Sequence, residues 1–313
     1  MPKIAKLALL AFSYPLLSWA QATSPAGTPA QIIVTVGHHY GHEPPAVTRE
    51  DFNVYQQYDP RPVINLLPLR GDRAGLELFL LVDNCSNCEP GPKFEELRRF
   101  IVSQPSTTAV GVAYIQDGQL EVAENPTTDR ERAIQALSAP SGSKPSSPFG
   151  ALAELIQGWR KGSARRALLM ISNGIDPAAK DVLAGTSAQA ALEAAQRAGV
   201  SVYAIYHPSA DYVTTDSSKI YEGQVQLSHL AIEAGGEAYF MGFGPLPSLG
   251  PFLADIADHL GNQYLLEFLA TPGDGPGGLQ QIRVQSKIPN LELMVPDKVW
   301  VPGRRSGKYG VTD

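Results

Sequence analysis

Uninterrupted apolar runs recur through the middle of the chain, and stretches with helical spacing alternate with them. The runs cover residues 76–82, 108–116, 167–172, 200–206 and 263–270. Such runs are typical of strands that are buried on both faces of a parallel sheet. Helical spacing is found at residues 93–101, 150–160, 188–198, 224–234 and 251–260. This alternation predicts an α/β fold with a doubly wound, mostly parallel, Rossmann-like sheet and helices on both faces.

Shorter β-type segments flank this series. They lie at residues 31–36, 50–55 and 62–67 before it and at 281–285, 291–295 and 299–301 after it. The later ones alternate like antiparallel strands, so we expect the two flanks to form one small accessory sheet. The predicted organisation is a signal peptide (1–20), an N-terminal linker and β segment (21–74), the α/β domain (75–270), and a C-terminal β segment and tail (271–313).

The first twenty residues predict a secretory signal peptide. Lys3 and Lys6 form a basic start, residues 7–17 are apolar, and cleavage is expected near Ala20. Without those lysines the net charge of −6 becomes −6 − 2 = −8, which argues against nucleic acid or an anionic membrane surface as partner. No later stretch approaches the ~18 apolar residues of a membrane span. We therefore expect a secreted or periplasmic protein.

Polar residues follow the first buried run directly, and ligands bind at this carboxyl end of the strands in open α/β sheets. The residues are Asp83, Asn84, Cys85, Ser86, Asn87 and Cys88. The candidate binding residues in this loop are Asp83, Asn84, Ser86 and Asn87, and those in later loops are Ser146, Ser147, Asn173 and Asp176. We expect the contact surface to comprise residues 83–92, 141–149, 173–176 and 211–221.

Cys85 and Cys88 are the only cysteines. An exported chain meets an oxidising compartment, so we expect them to form a disulfide that closes the loop. The competing interpretation is a redox site, because a C-x-x-C pair between a strand and a helix is also the placement of thioredoxin-type thiols. The spacer of residues 89–92 separates Cys88 from the helix and argues against that interpretation.

Histidines suggest two further kinds of site. His38, His39 and His42 invite a metal interpretation, but at a hairpin tip without a Cys or a spaced fourth ligand an exposed, solvated turn is favoured. His207, His229 and His259 stand alone on predicted strand ends or helices, without the G-x-S-x-G context of a hydrolase. No G-x-G-x-x-G or G-x-x-x-x-G-K motif supports nucleotide binding. The only enzymatic candidate is therefore the cysteine pair.

The chain resembles the von Willebrand factor type A domains of exported bacterial proteins. The residues that carry the resemblance are LVDNCSN at 81–87, SSPFGALAEL at 146–155 and LLMISNG at 168–174. The flanks resemble the lead-in and trailer of that group, so the likeness covers roughly residues 31–302. It implies a Rossmann-like sheet and a role in adhesion or protein–protein binding.

The resemblance also implies a place for a divalent metal. The family places Mg²⁺ on an Asp-x-Ser-x-Ser loop, a Thr from a second loop, and an Asp before Gly. Here Asp83 matches the first Asp, but Cys85 and Asn87 replace the two Ser, Ser146 or Ser147 replaces the Thr, and Asn173 replaces the last Asp. Asp176, three residues later, is not equivalent. The loss of carboxylate and hydroxyl oxygens predicts a degenerate site without a tightly bound metal.

These observations lead to one hypothesis and one rival. We expect an exported, non-enzymatic protein-binding or scaffold module without a cofactor. In it, Asp83 accepts hydrogen bonds from backbone N–H groups at the start of the next helix and does not bind a metal ion. A weak Mg²⁺ site at Asp83, Asn87 and Ser146 is the alternative for the cofactor. A periplasmic thiol–disulfide oxidoreductase that uses Cys85 and Cys88 is the alternative for the function.

Overall fold

The computed structural model describes residues 27–37, 43–83, 92–116, 119–137, 147–160, 162–176, 186–208, 217–242, 247–273 and 275–303. Its strands are β1 (Thr28–Val36), β2 (Phe52–Gln56), β3 (Asp59–Arg61), β4 (Val63–Pro68), β5 (Leu76–Asp83), β6 (Thr108–Gln116), β7 (Gln119–Thr127), β8 (Arg165–Ser172), β9 (Val200–Tyr206), β10 (Ala238–Tyr239), β11 (Gln263–Ala270), β12 (Gly277–Ser286), β13 (Leu293–Met294) and β14 (Lys298–Pro302). Its helices are α1 (Pro92–Ser103), α2 (Arg130–Gln135), α3 (Pro148–Gly158), α4 (Thr186–Ala198), α5 (Ser217–Glu233) and α6 (Gly250–Gly261).

Six strands form the central sheet, in the order β10-β9-β8-β5-β6-β7. All neighbouring pairs are parallel except β6 and β7, which form an antiparallel hairpin at one edge. Counted from β5 in chain order, this arrangement is 3-2-1-4-5-6, the order of a doubly wound Rossmann-like fold. The predicted α/β fold class is confirmed.

Helices cover both faces of this sheet, which explains the unbroken apolar runs. Phe79 and Leu81 of β5 pack on one face in a cluster that includes residues of α3, α4 and α5. Leu78 and Leu80 point the other way, into a cluster with residues of α1, α2 and α6. The one acid in the run, Glu77, accepts a hydrogen bond of 2.8 Å from the Trp159 indole N–H. No described helix is long and apolar enough to cross a membrane.

The flanks form two four-stranded sheets in the described part of the chain, where the sequence predicted one. Their orders are β13-β1-β11-β4 and β14-β12-β2-β3, so each combines strands from both ends of the chain. Their apolar sides share one core, in which Val34, Leu266, Phe268 and Val301 are fully buried. The expectation that the two flanks pair with each other is therefore confirmed, and the number of sheets is corrected.

Strand β11 does not continue the parallel sheet, contrary to the prediction for residues 263–270. It pairs antiparallel with β1 from Thr28↔Ala270 to Thr35↔Gln263, and with β4 on its other side. The edge of the central sheet offers only the two residues of β10, whereas β1 offers a nine-residue template. Fully buried and partly buried positions also alternate along most of β11, a period of two that is typical of antiparallel strands.

Helix α5 begins earlier than its apolar spacing suggested. It starts at Ser217, so the second half of the predicted exposed loop 211–221 is helical. Ile220 and Leu227, which are seven residues apart on one face, are both buried and hold the added turns against the sheet. Tyr221 is 65% exposed, so this predicted contact residue lies on a helix surface. Residues 211–216 lie outside the described residues.

The loop after β8 lies directly against α5 at a pair of glycines. Gly174 has φ of +68°, and a Cβ at this position would come within 2.4 Å of the Gly223 carbonyl oxygen. A Cβ on Gly223 would come within 2.0 Å of the Asn173 carbonyl oxygen. Neither position tolerates a side chain without movement of the backbone, so the two glycines set the distance between this loop and α5.

We predict that Gly223→Ala lowers the free energy of unfolding by about 1–3 kcal/mol, because the clash outweighs the better helix propensity of alanine. Gly158→Ala in α3 is the matched control, since a Cβ there meets nothing within 4 Å. The control should leave stability unchanged or raise it by up to about 1 kcal/mol. Urea unfolding followed by circular dichroism checks both values, and equal midpoints for Gly223→Ala and wild type would contradict the close contact.

Candidate functional site

The strand order reverses between β5 and β8, and a hydrogen bond joins the ends of these two strands. Asp83 ends β5 and Ser172 ends β8; their exposed fractions are 4% and 1%. The Ser172 hydroxyl donates to Asp83 Oδ2 over 2.7 Å and accepts from the Gly174 N–H over 3.1 Å. Ligand crevices of open α/β sheets lie at such a reversal point, so Asp83 lies where a ligand is expected.

Asn173 forms a local turn. Its side-chain oxygen accepts a hydrogen bond of 2.9 Å from the Ile175 N–H, and the residue is buried. A side chain that bonds to the backbone two residues later is an Asx turn, for which asparagine is well suited. The oxygen that aligns with a metal-site carboxylate is thus engaged with the protein backbone.

Asp176 is brought to the start of α3 by this turn. Its Oδ2 accepts a hydrogen bond of 3.1 Å from the Ser147 hydroxyl. Ser147 is the N-cap residue of α3, yet its side chain makes no capping hydrogen bond to the helix backbone. The hydroxyl therefore connects the β8 loop to α3, and two of the predicted binding residues are in direct contact.

Lys93 and His207 form a contact that the sequence did not predict. Lys93 lies in the first turn of α1, and His207 follows the last residue of β9. Their Nζ and Nε2 atoms are 2.9 Å apart, and the His207 N–H donates to the Ser172 carbonyl over 2.8 Å. Burial, together with the Lys93 charge, lowers the pKa of His207 to about 4. At neutral pH the imidazole is therefore uncharged, and its Nε2 can accept a hydrogen bond from the Lys93 ammonium group.

Together these side chains form the strand-end cluster, which we define as Asp83, Lys93, Ser147, Asn173, Asp176 and His207. It draws on the ends of β5, β8 and β9 and the starts of α1 and α3. Asn84, Cys85, Ser86, Asn87, Cys88 and Ser146 lie outside the described residues, as do the signal peptide and His38, His39 and His42. The disulfide, the redox pair and the turn-histidine metal site therefore stay predictions.

Oxygen donors are present in the cluster, but its described members are bonded to the protein. Asp83 accepts from Ser172, Asn173 accepts from Ile175, and Asp176 accepts from Ser147. Mg²⁺ needs near-octahedral oxygen coordination and gives up its water reluctantly. A metal bound here would have to compete with these hydrogen bonds and with the fixed positive charge of Lys93.

Position alone could have identified the residues that the sequence prediction missed. Ser172, like Asp83, is the polar residue that ends an apolar run, and His207 directly follows another such run. Polar residues at the ends of neighbouring parallel strands meet at one edge of the sheet. Lys93 gave no comparable signal, because one lysine at the start of a helix is usually solvated.

Comparisons with known proteins locate likenesses only among solved structures. No family model matches the sequence, and no curated protein matches it. The protein BatB from Bacteroides thetaiotaomicron is similar, with a TM-score of 0.44 and 14% identity over 59% of this chain and 97% of that one.

Two further solved structures are named as von Willebrand domains. One is the vWF domain of the type V pili tip protein Mfa5 from Porphyromonas gingivalis, with a TM-score of 0.44 and 9% identity over 58% of this chain and 94% of that one. The other is a von Willebrand factor type A protein from Catenulispora acidiphila. Its TM-score is 0.43 and its sequence identity is 9%, over 90% of this chain and 74% of that one. TM-scores and identities this low carry no argument about function. The fold class rests on the strand order given above.

The lowered pKa of His207 predicts a loss of stability in acid. The unfolded chain takes up a proton near pH 6.5, whereas the folded chain does so only near pH 4. Between these values the unfolded state binds more protons, so the free energy of unfolding falls with falling pH, by on the order of 3 kcal/mol for this residue. Urea unfolding at pH 7.5 and pH 4.5 measures the fall, which should be smaller in His207→Gln.

His229→Gln serves as the control for this comparison, because His229 is exposed on α5 beside Glu233. Its pH dependence should match that of the wild type. A fall of equal size in His207→Gln and wild type would mean that His207 titrates near its ordinary pKa and is not held uncharged by burial and Lys93.

Proposed function

We propose that this chain is an exported protein-binding module of the von Willebrand A type that works without a tightly bound metal ion. Its contact surface is the strand-end cluster with the loops beside it. The observation that carries the proposal is the Ser172–Asp83 hydrogen bond, which ties together the two strands at the reversal point. The sequence resemblance supports a role in adhesion or scaffolding, and the acidic chain supports a protein partner over nucleic acid.

Rigidity is the first argument for a binding surface. Hydrogen bonds join β8 to β5, the β8 loop to α3, and β9 to β8. The glycine contact at Gly174 and Gly223 adds a fixed distance to α5. A surface whose polar groups are held before binding loses little conformational entropy when a partner arrives.

Charge is the second argument, and it favours a mode of binding that does not need Mg²⁺. In the related domains a metal ion receives a carboxylate from the partner. Here Lys93 provides a positive charge at the same edge of the sheet, and the neutral imidazole of His207 positions its ammonium group. A lysine ammonium is part of the chain, so no chelator can remove it.

The metal part of the proposal can be tested by isothermal titration of the purified chain with Mg²⁺ and Mn²⁺. We expect no binding tighter than roughly millimolar, because Asn173 stands where the resemblance places a carboxylate, and Asp83 Oδ2, Asn173 Oδ1 and Asp176 Oδ2 already accept hydrogen bonds. Asp83→Ala is the diagnostic variant. Micromolar binding in the wild type that is lost in Asp83→Ala would refute a metal-free cluster.

The binding part can be tested by a pull-down from the exported fraction of the native host, followed by affinity measurement with the partner so identified. Affinity should be the same with and without EDTA and should fall about tenfold or more in Lys93→Met, since central charged contacts dominate binding energy. Lys287→Met is the matched control, because Lys287 follows β12, outside the predicted contact surface, and donates to the Glu50 carbonyl oxygen. Binding that EDTA abolishes, or that Lys93→Met leaves intact, would contradict the proposal.

A further inference from the structure

A second group of polar side chains lies beside β10, the edge strand of the central sheet. Glu237 directly precedes β10, and Tyr239 is its second residue. Asp255 and His259 are one turn apart on α6 and therefore share a face of that helix. None of these residues belongs to the strand-end cluster, and the sequence had left His259 as an isolated histidine.

The backbone holds this group in place. The Glu237 carbonyl accepts a hydrogen bond of 2.9 Å from the Ala204 N–H of β9. His259 is only 4% exposed, and its ring stacks on Tyr203 with centroids 6.2 Å apart. The ring of Tyr239 packs on Phe252 at 5.4 Å. Both ring systems therefore have one defined orientation, and they direct their polar atoms to the same place.

Three potential metal ligands converge there. One ligand atom each from Glu237, Asp255 and His259 lie within 4.8 Å of one another. His259 Nδ1 is 3.7 Å from Glu237 Oε2, and Nε2 is 3.9 Å from Asp255 Oδ2. One imidazole offers only one of its two ring nitrogens to an ion. Ligands around a tetrahedral Zn²⁺ are separated by about 3.4 Å, so side-chain movements would bring that nitrogen and one oxygen of each carboxylate into a first coordination shell.

The Tyr239 hydroxyl marks the point of convergence. It lies 2.8 Å from Asp255 Oδ2, 3.2 Å from Glu237 Oε2 and 3.3 Å from His259 Nδ1. A phenol has one proton and can donate it to only one of these groups. His259 Nδ1 donates or accepts according to its tautomer, but the two carboxylates only accept. One carboxylate contact therefore brings two acceptor oxygens together at hydrogen-bond distance, an arrangement that a cation between them would stabilise.

Negative charge is concentrated at this place. The carboxylates of Glu237 and Asp255 face each other across the tyrosine hydroxyl. The nearby charge of Arg165 acts on Tyr203. The Arg165 guanidinium donates hydrogen bonds to the side-chain oxygen of Gln263 and to the carbonyl oxygens of Ala74 and Leu260. A divalent cation would balance two carboxylates with a neutral imidazole. The side chains of Glu237 and Asp255 are 40% and 43% exposed, which leaves an entry from solvent.

We propose that Glu237, Asp255 and His259 form a binding site for a divalent transition-metal cation, with Zn²⁺ as the best-fitting ion. Two carboxylates and one imidazole, with a position left for water, form a three-ligand set of the kind that zinc accepts. The bound ion would join β10 to α6. Because β10 has only two residues, this connection would stabilise the open edge of the sheet. The site is independent of the proposed function.

The test titrates the full chain with Zn²⁺ and follows both heat of binding and the thermal unfolding midpoint. The wild type should bind the ion and unfold at a higher temperature when it is bound. Asp255→Asn should weaken binding by at least about tenfold, because it removes a charged ligand but keeps an oxygen that can accept from Tyr239. His259→Gln should have a similar effect.

Asp258→Asn is the matched control, because Asp258 is an exposed acid on the same helix, outside the cluster. It should bind Zn²⁺ as the wild type does. Cys85, Cys88 and the histidines at 38, 39 and 42 offer other zinc ligands in the sequence, so only the difference between Asp255→Asn and Asp258→Asn reports on this site. Circular dichroism of each variant shows that it is folded, and Asp255→Asn provides the test if the buried His259 cannot be replaced.

A different pattern of results would overturn the proposal. Wild-type chain that gains no thermal stability with millimolar Zn²⁺ would show that the four side chains form a metal-free hydrogen-bond network. The same conclusion follows if Asp255→Asn and Asp258→Asn bind Zn²⁺ equally well. Substitution with Co²⁺ gives a further readout, because a histidine–carboxylate site of low coordination number should produce visible absorption that Asp255→Asn loses.

Discussion

The candidate site depends on a constraint that begins in the core: strand β5 is buried on both faces. Leu78, Leu80 and Leu81 are fully buried, so no polar side chain can be placed along the middle of the strand without a partner. Chemistry can appear only where the strand ends. Asp83 is at that point, and its carboxylate is stabilised by the hydroxyl that ends the neighbouring strand. The Ser172–Asp83 bond is thus the place where the fold and the proposed binding surface meet.

That bond also shows how a buried carboxylate at this strand end is stabilised. A buried carboxylate requires either a cation or hydrogen-bond donors. Ser172 donates to Asp83, and the N–H of Gly174 in turn donates to Ser172, so a chain of bonds leads from the carboxylate to the backbone. In the same loop Asn173 satisfies the Ile175 N–H and Asp176 receives the Ser147 hydroxyl. Asp83, Asn173 and Asp176 thus each have a structural function.

The fold class could be predicted from the sequence because it depends on local patterns. The apolar runs at β5, β6, β8 and β9 identify strands by themselves, and their helical connections predict a parallel sheet. The sheet to which β11 belongs could not be predicted in this way. Its run of apolar residues resembles the others, but its pairing depends on the length of β1, more than 200 residues earlier. Local spacing does not show which of two distant strands, β1 or β10, will pair with β11.

The candidate site was predictable in part, for a similar reason. Asp83, Ser147, Asn173 and Asp176 each follow a strand or precede a helix, and position alone indicated a common edge. Which of them touch depends on the turn that Asn173 makes and on the approach of Gly174 to Gly223, both of which are tertiary features. Lys93 is in α1 and His207 directly follows β9, and the two residues are 114 positions apart in the sequence. The strand order brings them together, and that order is a tertiary feature.

The two polar clusters differ in the way they balance charge, and this difference bears on what each can bind. In the strand-end cluster Lys93 supplies a cation that is covalently part of the chain, and an uncharged imidazole holds it. Beside β10, two carboxylates and one imidazole converge. A fixed ammonium suits recognition of an acidic partner, whereas converging carboxylates suit a mobile cation. The proposed cation site thus lies at the sheet edge, where a bound ion would stabilise the structure and stay separate from the proposed binding surface.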